Sequence, residues 1–314
     1  MQADFIWMDG ELVPYEQATV HIINPTLHYG PGVFEGIRCY ETPDGPAVFR
    51  LQDHLLRFFD SILVLGFGSL PYTLDELRTA VHRTIQVNGF VECYVRPLMF
   101  LKGPMGLNLD LSTPVVAIAC WQWGPYLGAE AVERGARAMI SSFTRMHRNA
   151  SMTKAKISGQ YTNSMLAKTL ALRSGFDEAI LLDQDGLVAE ATGENLFMVR
   201  DGKVYTPQLA NVLEGITRDS VMTLAGDLDL EVLEIPITRD HLYIADEVFI
   251  CGTAAEITPI REIDFRKIGD GRRGPITKAI QDSFQKTVHG NGRRSAEWLD
   301  FVQVPVAEGS AKGV

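Results

Sequence analysis

No pair of cysteines stands in a C-x-x-C arrangement, and the sequence has no H-E-x-x-H, no H-x-x-x-H, no G-x-S-x-G elbow and no G-K-[ST] loop. A zinc site, a serine hydrolase elbow and a nucleotide P-loop are therefore not expected. The four cysteines, Cys39, Cys93, Cys120 and Cys251, are far apart and mostly inside apolar runs, which predicts buried free thiols. Basic clusters are missing too. The net charge is −10 and the acidic excess runs along the whole length, which argues against nucleic acid as a partner, since phosphate binding needs clustered Lys and Arg. No apolar run reaches the roughly 18 residues of a membrane span. The first ten residues, M-Q-A-D-F-I-W-M-D-G, lack a basic n-region and an apolar h-region, so a signal peptide is not expected. The chain reads as cytosolic, without a membrane or metal partner. No internal repeat is visible.

What is present is an ordinary globular composition, 46% apolar and 22% charged over 314 residues, enough for two domains. F-I-W-M-D-G-E-L-V-P predicts a hairpin turning at Asp9-Gly10. Leu51, Leu55, Phe58, Phe59, Ile62 and Leu63 have helical period and predict a helix over 51–65. Thr73 and Glu76 form a capping box for a second helix ending at Asn88-Gly89. Strands are expected around 91–100 and 115–122. The texture changes at W-G-P-Y-L-G-A-E-A, which predicts a boundary: a small domain over 1–122, a connecting loop over 123–135 and a large domain over 136–314. In the large domain, strands are expected near 137–143, at A-I-L-L-D, in a hairpin turning at Asp201-Gly202, and at E-V-F-I-C-G. Helices are expected ending at Gly175, starting near Thr217 and starting at Pro275. The polar tail 307–314 is expected to fray.

G-D-G-R-R-G at 269–274 matches the dinucleotide fingerprint letter for letter. Its left flank, D-F-R-K-I, is mostly charged and Pro275 follows at once, so it reads as a glycine turn before a helix with proline at N1. Anion-holding turns are better supported. L-E-G-I-T-R-D-S-V-M puts Gly215 and Thr217 at the start of an amphipathic helix, where free N–H groups accept an anion. C-G-T-A-A at 251–255 ends an apolar strand in small residues, which lets backbone N–H groups approach a ligand.

The segment A-K-I-S-G-Q-Y at 155–161 carries a lysine, with Lys154 just before it. Either lysine is a solvated surface charge or a chemical group, and the segment alone does not choose. Glu190, in V-A-E-A-T-G-E-N-L-F, is a solvated loop carboxylate or the partner of a buried cation. Arg57, in L-Q-D-H-L-L-R-F-F, is a helix-surface arginine or a half-buried anion fork. A lysine, a carboxylate, an arginine fork and two anion-holding turns are together the parts that hold pyridoxal 5′-phosphate.

These motifs resemble those of the class IV, fold-type IV pyridoxal-phosphate enzymes, and specifically of the branched-chain amino acid aminotransferases, over about residues 5–300. The segments that carry the resemblance are L-H-Y-G-P-G-V-F-E-G-I-R-C-Y, Y-V-R-P-L, A-K-I-S-G-Q-Y, E-A-T-G-E-N-L-F, G-I-T-R and E-V-F-I-C-G-T-A-A-E-I-T-P-I. The resemblance implies an α+β fold of two domains, a small α/β sandwich and a larger pseudo-barrel β domain with surrounding helices, with the cofactor cleft between them. It implies that Lys156, five before Tyr161, is the Schiff-base lysine and later the acid–base. Tyr161 is implied to meet the cofactor phenolate, Glu190 the pyridine nitrogen, and Arg57, Ile216, Thr217 and Thr253 the phosphate. Thr253, Ala254 and Tyr94 are implied for the substrate α-carboxylate, and Phe34, Gly36, Arg38, Trp123 and Tyr126 for the side-chain pocket. Arg96 is implied for the distal carboxylate of an acidic substrate, with Arg38 as runner-up. Tyr29 and Leu107 are implied to reach in from a second subunit of a homodimer or hexamer. The family often has a G-G pair after the lysine; here Ile157-Ser158-Gly159 stands instead, and the isoleucine bears on the pocket's fine geometry. The implied reaction passes the amino group of L-leucine, L-isoleucine or L-valine to 2-oxoglutarate by a ping-pong route. D-amino acid or (R)-amine transamination and aminodeoxychorismate lysis are the alternatives on the same fold.

Overall fold

The computed structural model describes residues 3–124 and 126–302; the tail 307–314 lies outside them. Two sheets divide the chain. The first runs, in spatial order, through Leu299–Phe301, Ala47–Phe49, Ile37–Tyr40, Cys93–Lys102, Thr113–Trp121, Phe5–Met8 and Glu11–Pro14, with Val33–Phe34 added against Cys93–Lys102. All its pairings are antiparallel. The hairpin at Asp9-Gly10 forms as expected: both residues have positive φ, 51° and 100°, which matches the twist of the flanking strands.

The helix Leu51–Leu65 covers this sheet. Leu51, Leu55, Phe58 and Ile62 are buried against Ile37, Val95 and Ile118, and each such side chain stabilises the fold by about 1.5–3 kcal/mol. Leu63, which the apolar pattern placed on the buried face, is exposed, because it falls off the stripe that the i, i+3, i+4, i+7 positions make. The capping box of the helix Leu74–Val87 is present in both directions.

The second sheet runs through Val188–Ala191, Glu178–Leu182, Ala136–Ile140, Glu256–Ile263, Glu247–Gly252, Asn195–Arg200, Lys203–Pro207 and Val232–Ile235, with Arg266–Lys267 beside Glu256–Ile263. It is mixed: Ala136–Ile140 is parallel to both its neighbours, and Lys203–Pro207 is parallel to Val232–Ile235. The sheet curls until its edges meet, where Val188 N–H donates to the Ile237 carbonyl at 2.7 Å and Leu187 bridges Thr238. Helices Tyr161–Arg173, Ile216–Asp227 and Pro275–Val288 lie outside it. This is the α+β, fold-type IV architecture that the resemblance implied.

Two features depart from the sequence reading. Glu256–Ile263, a central strand, is not among the strands expected from the sequence, because Thr258, Pro259 and Arg261 interrupt its apolar pattern. Pro259 stands one residue before the parallel pairing with Ala136 begins at Ile260, so its missing N–H falls outside that ladder. The last strand, Leu299–Phe301, belongs by sequence position to the large domain of 136–314, yet it pairs with Ala47–Phe49 in the first sheet. Trp298 and Leu299 there share a core with Phe49 and Phe284, so this segment ties the two sheets together.

The G-D-G-R-R-G turn also resolves. Pro275 is the first helical residue, and the Glu247 carboxylate accepts from Ile276 N–H at 3.0 Å and Thr277 N–H at 2.7 Å. The helix start that would face a pyrophosphate is thus filled by a carboxylate from the neighbouring strand.

Candidate active site

A cleft lies between the sheets. Its inner part is lined by Arg57, Arg145, Lys156, Tyr161, Glu190, Glu194, Ile216, Thr217 and Thr253. It continues into a wider mouth lined by Phe34, Gly36, Tyr94, Arg96, Trp123, Tyr126 and Ala254, with Lys156, Tyr161 and Thr253 shared between the two parts. Residues far apart in the sequence therefore meet in one place because the sheets face each other across it.

The Lys156 ammonium donates to the Tyr161 hydroxyl at 2.7 Å. The lysine's own backbone is fixed by Lys156 N–H to Ser61 Oγ at 3.0 Å. Gly159 N–H donates to the Gly30 carbonyl at 3.0 Å, and a Cβ on Gly30 would lie 2.9 Å from the Gly159 Cα, so glycine is needed at that approach. Ile157 is buried in the core of the first sheet and bridges Val33. The isoleucine after the lysine thus faces away from the cleft. Lys154 is exposed and pairs with Glu214 at 2.8 Å.

At one end of the inner cleft the helix Ile216–Asp227 begins. Gly215 is its N-cap and no side chain among the described residues caps it, so the first-turn N–H groups keep their partial positive charge for an anion. A Cβ on Gly215 would collide with Asn195 Oδ1, 1.9 Å away. Arg57 stands at the same end. It donates from Nε to Glu35 Oε1 at 2.7 Å, from Nη2 to Glu35 Oε2 at 2.8 Å and from Nη1 to the Glu214 carbonyl at 2.9 Å. Glu35 is fully buried and also meets His54 Nδ1 at 2.7 Å. Burial works against the Glu35 charge, but Arg57 and His54 hold its carboxyl well below the usual range. Burial lowers the pKa of His54, against the pull of Glu35.

Glu190 sits in the strand Val188–Ala191. Its Oε1 lies 2.5 Å from Arg145 Nε, and its Oε2 accepts from Leu213 N–H at 3.2 Å. Burial raises the Glu190 pKa, and Arg145 is the main influence opposing that rise. Glu194, beside it in the cleft wall, is pushed up to about 8 by burial and by the neighbouring Glu178.

The cleft thus brings together an arginine and a helix start that suit an anion, a buried carboxylate that suits a ring nitrogen and a lysine amine that suits an aldehyde carbon. Phe34, Tyr94, Trp123, Tyr126 and Tyr161 bring aromatic rings to the mouth. Gly36 has room only for hydrogen, since a Cβ there would lie 2.0 Å from the Tyr94 hydroxyl.

A family model described as amino-transferase class IV matches residues 32–263. The chain is 48% identical to the branched-chain-amino-acid aminotransferase of Pseudomonas aeruginosa over 299 residues, 95% of this chain and 97% of that one. The crystal structure of the Escherichia coli branched-chain amino acid aminotransferase superposes with a TM-score of 0.94 at 45% identity, covering 96% of this chain and all of that one. A further branched-chain amino acid aminotransferase, from T.th., was solved in complex with N-(5′-phosphopyridoxyl)-L-glutamate. It superposes at a TM-score of 0.91 with 45% identity, covering 96% of this chain and 100% of that one.

The chain belongs to the branched-chain amino acid aminotransferases of class IV. Its cofactor is pyridoxal 5′-phosphate, and the inner cleft has the residue set to hold it. Among the residues the sequence pointed to, Lys156, Tyr161, Glu190, Arg57, Ile216, Thr217 and Thr253 line the inner cleft, and Phe34, Gly36, Tyr94, Arg96, Trp123, Tyr126 and Ala254 line the mouth. Arg38 does not line it. Its guanidinium is engaged by Glu256 Oε1 at 3.0 Å and by the Trp123 and Gly124 carbonyls, each at 3.1 Å. Tyr29 and Leu107 are exposed and line neither part of their own chain's cleft.

Sequence reasoning missed Glu35 and Arg145. Glu35 lies inside the quoted F-E-G, and a carboxylate between two strand residues was the available signal. Arg145 sits in S-S-F-T-R-M-H-R, where nothing periodic marks it. Among the described residues no helix is long and apolar enough to cross a membrane.

Proposed function

We propose that this chain moves the amino group of L-leucine, L-isoleucine or L-valine to 2-oxoglutarate in two half-reactions at one cleft, giving branched-chain 2-oxo acids and L-glutamate. The observation that carries this reading is Arg96. Its guanidinium faces the same mouth as Lys156 and has no carboxylate partner among the described residues. One hydrogen bond, from Nη2 to the Tyr94 hydroxyl at 2.9 Å, holds it, and its buried Nε has none. The cation rests over Phe34 at 4.5 Å, Tyr94 at 5.2 Å and Trp121 at 5.7 Å. An aromatic box keeps a cation tolerable while an apolar side chain occupies the mouth. The acidic side chain of glutamate then finds a partner there, which removes the cost of burying its carboxylate alone. The glutamyl group in the T.th. complex supports an acidic side chain in such a mouth.

When bound, the cofactor supplies an electrophilic carbon and an electron sink. Lys156 is the covalent anchor and, once freed, the base and acid that moves the substrate Cα proton. Tyr161 orients its amine. Glu190 would meet the ring nitrogen and hold a proton there, and the Arg145 guanidinium beside it favours the charged carboxylate against burial. Arg57, braced by Glu35, joins Thr253 and the N–H groups of Ile216 and Thr217 on the phosphate. Thr253 and Ala254 backbone groups and Tyr94 take the α-carboxylate. Phe34, Trp123 and Tyr126 enclose the side chain. Tyr29 and Leu107, exposed on their own chain, complete a second copy's mouth in a homodimer, and the enzyme works in the cytoplasm.

The test is an absorbance spectrum of the holoprotein. L-leucine without acceptor should shift the cofactor band, 2-oxoglutarate should restore it, and D-leucine should do neither. A shift with D-leucine alone, or pyruvate released without an acceptor, would replace this reading with one of the other reactions of the fold.

A further inference from the structure

Glu256 occupies an unusual backbone position. Gly252 pairs with Glu256 across the hairpin turn of Thr253, Ala254 and Ala255, and Glu256 has φ 51°. Three-residue hairpins commonly close on a residue in this left-handed region, and glycine fills it at least cost. A glutamate kept there is held by its side chain, and strained positions of this kind gather at ligand clamps.

The side chain joins three parts of the molecule. Oε1 accepts from Arg38 Nη1 at 3.0 Å and from the Tyr40 hydroxyl at 2.9 Å, both on the strand Ile37–Tyr40 of the first sheet. Oε2 accepts from Gln285 Nε2 at 2.7 Å, on the helix Pro275–Val288. Arg38 then donates from Nη2 to the carbonyls of Trp123 and Gly124. Trp123 and Tyr126 form one wall of the cleft mouth, and Thr253 and Ala254 form another. Glu256 follows that second wall in sequence, and through Arg38 it grips the first.

We propose that Glu256 is a positioning residue, which sets the spacing between the Thr253–Ala255 turn and the Trp123–Tyr126 segment by holding Arg38 between them. It touches no substrate. Resting on the functional reading above, this spacing fixes how well the turn meets the α-carboxylate while the aromatic wall closes on the side chain, so Glu256 governs substrate affinity more than the chemical step. A carboxylate suits the role because the Arg38 fork can grip it and two carbonyls at once.

The experiment compares wild-type holoenzyme with Glu256→Gln, which keeps the side chain's shape and removes its charge. KM for L-leucine should rise about tenfold, with kcat within about threefold of wild type. Without substrate, amide exchange at Trp123, Gly124 and Tyr126 should quicken about tenfold while the strands of both sheets stay protected. Arg38→Met should give the same two changes, and the double variant should add nothing further. If Glu256→Gln does not fold, Glu256→Gly, which relieves the left-handed backbone, carries the same readouts. Wild-type KM together with wild-type exchange would overturn the proposal, and so would exchange that quickens equally throughout both sheets. The exchange measurement needs no turnover. A wild-type protein inert toward leucine would sink the functional reading, while the exchange result would still decide the role of Glu256.

Discussion

Glu35 accepts from Arg57 on both carboxylate oxygens, at 2.7 and 2.8 Å, and has no exposed surface of its own. This fork-on-fork pair orients the arginine toward the start of the helix Ile216–Asp227 before any anion arrives. Glu35→Gln keeps the shape but loses one acceptor and the charge. Cofactor dissociation measured by dialysis should increase about tenfold to a hundredfold, while turnover at saturating cofactor changes much less. The pH dependence follows from the lowered pKa. Glu35 stabilises the fold fully above the ordinary carboxylate value of 4.5, and that contribution is lost as pH falls below it toward the folded value. Glu35→Gln should therefore flatten the acid limb of stability measured by denaturant titration.

Lys156 and Lys154 are separated by their surroundings. Lys154 is an exposed partner of Glu214, and exposed pairs contribute about 0–1 kcal/mol. Lys154→Ala should leave activity and stability nearly unchanged. Lys156→Ala should bind the cofactor without a covalent link and lose turnover by many orders of magnitude. Borohydride labelling followed by peptide mapping checks both, with the label expected on the peptide that carries Lys156 and lost only in Lys156→Ala.

Much of this site was legible before the fold was known, and the reasons are local. The helix of Leu51–Leu65 shows in its period, the turns at Asp9-Gly10 and Asp201-Gly202 in their residues, and the helix start at Gly215 in the small residue that opens it. The choice of Lys156 over Lys154 came from resemblance; the segment itself contains two lysines two residues apart. Glu35 and Arg145 were not legible, because a buried ion pair is made by residues distant in sequence and leaves no period. The strand Glu256–Ile263 was hidden by Pro259 and by polar residues that only the closed sheet buries. The bonding of Arg38 is not legible for the same reason: its partners, Glu256 and the Trp123 and Gly124 carbonyls, come together only in three dimensions.

On the proposed function Glu190 meets the ring nitrogen, and its Oε1 lies 2.5 Å from Arg145 Nε. Glu190→Gln retains a hydrogen-bonding group without the charge. It should raise the barrier by about 3–4 kcal/mol, roughly two to three decades in kcat, with a much smaller change in cofactor affinity. Near-normal turnover would transfer the role to Glu194.

Glu194 gives a pH signature of its own. Its folded pKa of about 8 lies above the ordinary 4.5, so the stability tied to its neutral form is complete below 4.5 and lost as pH rises through 8. Glu194→Gln mimics the neutral form. It should match the wild-type melting temperature near about pH 5 and exceed it at about pH 8, by roughly 2–4 °C for each kcal/mol gained. Equal melting temperatures at both pH values would show that Glu194 is ionised in the fold.

On the proposed function, one mouth accepts both an apolar and an acidic side chain because Arg96 waits in an aromatic box with no carboxylate partner among the described residues. Single-turnover spectra of the two half-reactions of Arg96→Leu test this most directly. The half-reaction with glutamate or 2-oxoglutarate should weaken by about 2–4 kcal/mol, and the leucine half-reaction should change little. Equal losses in both would contradict that role and make Arg96 a support for the whole cleft.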